Sequence, residues 1–387
     1  MNILYIYENP KVDAFGGTAT YLRKIIYGVK SFGHCPYLVY PIIENERRSL
    51  PDISCIPITI KDNKSYGNRC KLFINTLEEQ ILNIINEKEI DVVHIIFGWY
   101  AYYLLDYKKI INCGVKVFVT IHNIPPEECS VSFKGDRFYR RITDTLKNQL
   151  RSLRSWFNII TVDKRITIIV PCNNVRKKLL KYKCKNPISV IHHGYNDKFV
   201  LDDWDNKYNN EGKINILTVA GFAPGKNLEL LIDVFKDIED KDKYRVHIVG
   251  GIRVPSYFAY LQKRISDEEL TNVFRFVIGC SDSELKKLYD HADLYVQPSR
   301  DEGFCLAALD AAALGLRVIG SDIGEIANIA VISGGSNVPF GDVEAYRKKI
   351  VELSSTLRSD AIDNSQLVRK TYNWEKTIEQ LLNLYKS

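Results

Sequence analysis

The stretch "PSRDEGFCLAALDAAALG", residues 298–315, carries the chemistry that is easiest to read in this chain. Glu302 stands at the mouth of a helical pattern, so the amides of Gly303, Phe304, Cys305 and Leu306 are donors at a helix N-terminus, where phosphate oxygens are favoured. Asp310 follows eight positions after Glu302, two turns deeper on the same pattern. A carboxylate for hydroxyls, amides for phosphate and a second carboxylate for further hydroxyls suit a sugar nucleotide. The competing reading is a helix start with two solvated acids.

Two other stretches invite an anion. In "AFGGTATYLRKI" the pair Gly16 and Gly17 precedes a helix, which lets backbone amides approach a ligand closely; plain turn chemistry explains the pair equally. In "VAGFAPGKNLELLIDVF" Lys226 sits on a turn between strand and helix, either pairing with a phosphate as a mobile point charge or solvated in its loop. Neither G-x-G-x-x-G nor G-x-x-x-x-G-K-[ST] occurs, so a dinucleotide fold and a P-loop are both unsupported.

These loops need strands to hold them. Ten short apolar runs alternate with helical patterns, from "NILYIY", "DVVHIIF", "KVFVTIH", "ITIIVP" and "ISVIHHG" to "INILTVAG", "YRVHIVGG", "FRFVIG", "ADLYVQPS" and "LRVIGSD". Continuous apolar runs ending in Gly, His, Pro or Ser are the pattern of parallel strands covered on both faces, with functional loops at their carboxyl ends. The fold class expected is α/β, with two facing Rossmann-like doubly wound domains and a deep cleft between them. The 387 residues suit two domains. The polar stretch 196–213 sets the seam near residue 200, giving domains 1–199 and 200–371. The closing segment 372–387 has Trp374, Ile378, Leu381, Leu382 and Tyr385 at helical spacing, an amphipathic helix whose spacing leaves open which domain it packs on.

Composition excludes several classes. The chain is 45% hydrophobic and 26% charged with no low-complexity tract, which argues against disorder. Its nine cysteines are odd in number and form no C-x-x-C pair, which argues for a reducing cytoplasm and against a disulfide framework or zinc cluster. The greasiest stretch, "VVHIIFGWYAYYLL", is shorter than the roughly twenty residues of a spanning helix. The opening "MNILYIYENP" lacks a basic leader and reads as a strand.

The stretch 298–315 and its continuation "LRVIGSDIG" resemble the signature of the group 1 glycosyl transferases, a retaining family of two-Rossmann-domain (GT-B) architecture marked by two glutamates separated by seven residues. The likeness extends through "DVVHIIF", "VTIHN", "ISVIHHGYND", "ILTVAGFAPGKNLELLIDVF", "SDSELKKLYDHADLYVQPS" and "GDVEAYRKKI", in the family's order, over nearly the whole chain. By position it implies that Glu302 binds donor-sugar hydroxyls, that Asp310 holds the ribose, that Lys226 neutralises the diphosphate, and that Gly16 and Gly17 touch it. His122, in "VTIHN", matches an active-site histidine; a core histidine at a strand end is the competing reading. The implied activity is metal-independent, retaining transfer of a hexosyl group from a nucleoside-diphosphate sugar to a glycan or lipid-linked acceptor, without cofactor, in cell-surface polysaccharide synthesis. The alternative is a catalytically inactive GT-B-fold partner of a glycosylation complex.

Three departures bear on that choice. Asp310 stands for the usual Glu, one methylene shorter. Phe222 stands where the family usually has an Arg, removing a bidentate cation from the diphosphate; loss of one such donor costs on the order of 3 kcal/mol, about a hundredfold in rate. Arg253 in "VGGIRVP" or Arg300 is positioned in sequence to offset it. The family's G-G-x-P-E loop reads here as "GEIAN", 324–328.

Metal is not expected. The "DWD" at 203–205 has the look of an Asp-x-Asp metal motif but lies in the linker, and His192 and His193 lack ligand partners at metal spacing. Charge is +6, and segment 134–157 concentrates basic residues, interleaved with Leu146, Leu150, Leu153, Trp156 and Phe157. Such a segment favours an anionic membrane surface, here the inner face of the cell membrane, and the competing reading is a solvated surface helix. No motif for nucleic acid accompanies the charge.

Overall fold

The computed structural model describes residues 1–13, 16–43, 49–61, 65–96, 105–124, 133, 149–150, 153, 156–157, 159–199, 212–355 and 361–387. The "DWD" motif and most of segment 134–157 lie outside them. The chain divides into two compact units: Met1–Pro125 with Arg151–His193 and Trp374–Ser387, and Pro126–Leu150 with Gly194–Asn373. The change of unit falls between His193 and Gly194 rather than at residue 200, and Phe133 packs in the second unit's core, its ring 5.2 Å from that of Tyr257.

The first unit is built on a seven-stranded sheet in the order β3-β2-β1-β4-β5-β6-β7. Its strands are β1 (Asn2–Tyr7), β2 (Cys35–Ile43), β3 (Ser54–Ile60), β4 (Val92–Ile96), β5 (Lys116–Thr120), β6 (Thr167–Val170) and β7 (Ile188–Val190). The second has six strands in the order β10-β9-β8-β11-β12-β13. These are β8 (Ile214–Val219), β9 (Tyr244–Val249), β10 (Phe274–Val277), β11 (Leu294–Gln297), β12 (Arg317–Ser321) and β13 (Ser336–Val338). Every pairing of these strands is parallel. β4, β11 and β12 are buried at every position, because helices cover both faces and leave no solvated side to alternate toward.

Each sheet reverses its winding once, between β1 and β4 and between β8 and β11. Strands diverge there, and the loops leaving their carboxyl ends part to form a ligand crevice. Lys226 follows β8 and Glu302 follows β11, so the second unit's candidate residues emerge at its switch point.

The helix Trp374–Lys386 belongs to the first unit and buries Trp374, Ile378, Leu381, Leu382 and Tyr385. It crosses the helix Gly17–Ser31 closely enough that a methyl group on Gly28 would fall 1.8 Å from Ile378 Cδ1. Gly28 is what permits that approach.

Candidate active site

In the second unit, Lys226 Nζ donates to Glu302 Oε1 at 2.5 Å. The same oxygen accepts from Ser299 Oγ at 3.0 Å, Ser299 Oγ accepts from Gln297 Nε2 at 2.8 Å, and Gln297 Oε1 accepts from Tyr295 at 2.8 Å. Tyr295, Gln297 and Ser299 alternate along the end of β11, so they project to one side and form a buried relay ending on the Glu302 carboxylate. None of the three was singled out from the sequence; the period of two in "YVQPS" was the available signal.

The Lys226 turn is clamped to the Glu302 loop. Arg300 donates its backbone amide to Gly225 O at 2.9 Å, its Nε to Pro224 O at 3.2 Å and a terminal nitrogen to Glu229 Oε1 at 2.7 Å. Glu229 is buried and also accepts from Tyr257. Arg300 therefore holds the lysine turn in place. Across the Glu302 backbone lies Gly324, at φ 55°, where a Cβ would come within 2.6 Å of Glu302 O. Only glycine combines that left-handed φ with so close a pass, which accounts for the first residue of "GEIAN".

Glu302, Gly303 and Phe304 are buried. The Phe304 ring packs edge-on against Tyr372, centroids 5.8 Å apart, so its side chain anchors the loop. Cys305 takes the left-handed conformation, φ 70°, at the N-cap of the helix Leu306–Ala313. Burial pushes its thiol well above the ordinary range, so it is held protonated. Leu306 opens that helix and Asp310 lies inside it, half-buried, with Oδ1 accepting the Asn196 amide at 2.7 Å.

Phe222 is fully buried, with its ring 4.8 Å from Phe258 and 5.3 Å from Phe276. Its backbone bridges to Ile252, which brings the loop after β9 alongside the loop after β8. Arg253 on that loop is exposed and packs its stem on Gly221, where a Cβ would lie 2.9 Å from Arg253 Cγ. Its guanidinium makes no hydrogen bond or ion pair with a described residue.

In the first unit, Gly16 has φ 150° and N-caps the helix Gly17–Ser31, its carbonyl accepting from Thr20 N at 2.9 Å. A side chain on Gly16 would meet nothing within 4 Å. His122 lies just past β5, half-buried, with its Nε2 sealed from water and unpartnered among the described residues. Burial pushes its imidazole down to about 4, so the ring is neutral at physiological pH. Tyr21 packs edge-on against it at 4.8 Å, and the Tyr21 hydroxyl reaches Thr120 Oγ1 at 3.2 Å. Thr120 in turn contacts His94 Nε2 at 2.7 Å.

Among the described residues no group of three or more His, Cys, Asp or Glu side chains is arranged to hold a metal ion. None of the described helices is long and apolar enough to cross a membrane. All eight described cysteines are free. Of segment 134–157, the described Leu150, Leu153 and Phe157 are exposed.

Two family models divide the chain between them. Residues 15–199 match glycosyltransferase family 4, and residues 201–368 match glycosyl transferases group 1, the half that contains the Lys226–Glu302 pair. Residues 201–368 are a group 1 glycosyl transferase domain. Its fold is that of GT-B glycosyltransferases: a sucrose-phosphate synthase from Thermosynechococcus elongatus superposes with a TM-score of 0.80 at 18% identity, covering 100% of this chain and 98% of that one. An uncharacterised glycosyltransferase of Methanocaldococcus jannaschii is 26% identical over 245 residues, 62% of this chain and just under two thirds, 64%, of that relative. The O-antigen chain mannosyltransferase of Salmonella typhimurium is 29% identical over 242 residues, 58% of this chain and 62% of that one.

Proposed function

We propose that this protein is a retaining glycosyltransferase that moves a hexosyl group from a nucleoside-diphosphate sugar to a glycan or lipid-linked acceptor in cell-surface polysaccharide synthesis. The observation that carries the reading is the Lys226–Glu302 pair at the β8/β11 switch point, a cation for the diphosphate beside a carboxylate for sugar hydroxyls. In the reaction the bond from the anomeric carbon to the diphosphate oxygen breaks while the acceptor oxygen bonds to that carbon on the same face. The departing phosphate oxygen takes the acceptor's proton. Positive charge grows on the sugar ring and negative charge on the leaving group.

Lys226 counters the negative charge as it develops, and the exposed guanidinium of Arg253 is available to add the second cation that Phe222 does not supply. With two organic cations in that role, the transfer needs no metal. Glu302 accepts from donor-sugar hydroxyls and Asp310 from the ribose; a carboxylate has roughly four lone-pair sites, so accepting the Asn196 amide leaves Asp310 capacity. On this reading the amides about Gly303, Phe304, Cys305 and Leu306 donate to the phosphates, and Gly16, Gly17 and the neutral His122 take the roles that the family resemblance implies for them. The basic, apolar segment 134–157 would hold the protein at an anionic cytoplasmic membrane surface near lipid-linked acceptors.

The alternative of an inactive partner protein rested on Phe222, and the exposed Arg253 beside Gly221 weighs against it. A thermal-shift screen over a nucleotide-sugar panel tests the reading, since a ligand at a hundred times its dissociation constant adds about 2.7 kcal/mol. A panel in which no donor binds or is consumed, with or without lipid acceptors, would return the protein to the inactive alternative.

A further inference from the structure

A cavity of the second unit, about 280 Å³, lies at the amino-terminal edge of its sheet, between the start of β8, the start of β9 and the end of the helix Asp282–His291. The Lys226–Glu302 pair is at the other end of the same strands. The lining stops at Leu217 on β8 and His247 on β9, short of the strand ends Val219 and Val249, and includes no residue of the loops that carry Lys226 and Glu302. The two sites are therefore separate.

The lining is basic. Lys213, Arg245 and Lys287 bring three permanent cations, His247 and His291 bring two imidazoles, and no lining residue is acidic. Among the described acids near it in sequence, Asp290 pairs with Lys286, Asp293 accepts the Asn215 amide at 2.7 Å, and Glu284 accepts from Ser281 at the start of the same helix. Gathering like charges around one hollow raises its positive potential, and low-dielectric walls focus the field into it. The same field acts on His247, whose imidazole is pushed below its ordinary range first by burial and then by Arg245 and Arg275.

His247 shows how a ligand would be read. Its Nδ1 is sealed and has no hydrogen-bond partner among the described residues, which leaves Nε2 as the ring's open nitrogen. A buried bare acceptor is less costly than a buried bare N–H, so the neutral ring carries its proton on Nε2 and offers a donor. His291 is fixed differently, donating Nδ1–H to Lys287 O at 2.6 Å. Leu288 adds aliphatic surface to the floor.

We propose that this cavity is a second anion site, taking a small phosphate-bearing molecule between Lys213, Arg245, Lys287 and the Nε2–H of His247. Its size, just below the roughly 300–1,000 Å³ of ligand pockets, suits a small phosphorylated metabolite or phosphate itself. The site does not depend on the catalytic reading.

The test is a titration of the full chain, labelled with ¹³C in its histidine rings, with the His247 and His291 signals assigned from His247→Gln and His291→Gln. Inorganic phosphate and a hexose phosphate are added separately, with chloride at matched ionic strength as the control. Saturable movement of the His247 and His291 signals is expected with phosphate and not with chloride, and it should persist in Lys226→Ala. Tenfold or greater preference for the hexose phosphate assigns the organic part to the aliphatic floor; equal affinity assigns the bare ion. The double variant Lys213→Glu/Arg245→Glu, or the exposed Lys287→Glu should that double variant fail to fold, should weaken the response at least tenfold. Movement that tracks ionic strength alone, or saturation that survives charge reversal in a folded variant, overturns the proposal.

Discussion

Lys226 Nζ and Glu302 Oε1, 76 positions apart in the chain, meet at 2.5 Å across the ends of two adjacent parallel strands. The pair is only partly screened, with side chains 28% and 11% exposed. Each group neutralises the other, and a sugar diphosphate would exchange this single contact for two, ammonium to phosphate and carboxylate to hydroxyl.

Replacing Glu302 by Gln keeps an acceptor for Ser299 and removes the charge. Turnover is expected to fall about 10²–10³-fold, the scale of one preorganised electrostatic contact, while nucleoside-diphosphate affinity survives. Asp310→Ala should instead weaken the nucleotide itself by about ten- to a hundredfold, the worth of a hydrogen bond to a charged group. Calorimetric titration of both variants with the nucleotide checks the division of labour; equal losses in the two would contradict it. Asp310→Glu, restoring the family residue, should keep or raise activity if the site retains the family's geometry.

Phe222→Arg, which writes the family residue back into the chain, is expected to hurt rather than help. The side chain is 0% exposed among Phe258 and Phe276, and an unpaired buried cation destabilises by about 3 kcal/mol or more. Arg253→Ala removes no guanidinium hydrogen bond or ion pair with a described residue and should leave the melting temperature nearly unchanged while lowering turnover about tenfold or more. A stable, more active Phe222→Arg protein would show that this ring is not the core residue described here.

Gly28→Ala sets a methyl against Ile378 and should destabilise the first unit by about 1–3 kcal/mol, the range for overpacking. Shortening the neighbour in Gly28→Ala/Ile378→Ala should recover part of that loss. Urea unfolding of the two single variants and the double measures the coupling; strict additivity would deny the contact.

His94 is fully buried between Tyr385 and Thr120, and burial pushes its imidazole from 6.5 down to about 3. Between those values the unfolded chain binds the proton and the folded chain does not. The stability from the neutral ring is thus complete above pH 6.5 and is lost as pH falls toward 3. The slope approaches about 1.4 kcal/mol per pH unit for this one group. His94→Gln should flatten the profile by that amount across about pH 4–6, between the two values, read from urea midpoints; an unchanged slope would mean the ring is protonated in the fold.

Ten apolar runs in the sequence correspond to ten of the thirteen strands, because strands covered on both faces are continuously apolar. The other three, β2, β3 and β13, are less legible for physical reasons. β2 and β3 carry Pro36, Pro41 and Pro57, β3 lies at a sheet edge where proline is tolerated, and β13 is a 3-residue edge strand. The endpoints of the site, Lys226 and Glu302, were readable because they sit on glycine-marked turns. Ser299, Gln297 and Glu229 were not, and Arg300 was read as a spare cation for the diphosphate, since what these residues do is hold other residues, and that depends on which strand ends become neighbours. Phe222 was read as a missing cation; the packing of its ring shows a residue turned to the core, with the exposed arginine arriving from the adjacent loop.

The most direct measurement is the anomeric configuration of the first product, read by proton NMR before it equilibrates, with Lys226→Ala assayed beside the native chain. The configuration of the donor should be kept, and Lys226→Ala should lose about two to three orders of magnitude in turnover. An inverted product, or a Lys226→Ala protein that transfers sugar at the native rate, would contradict the transfer chemistry assigned to this site.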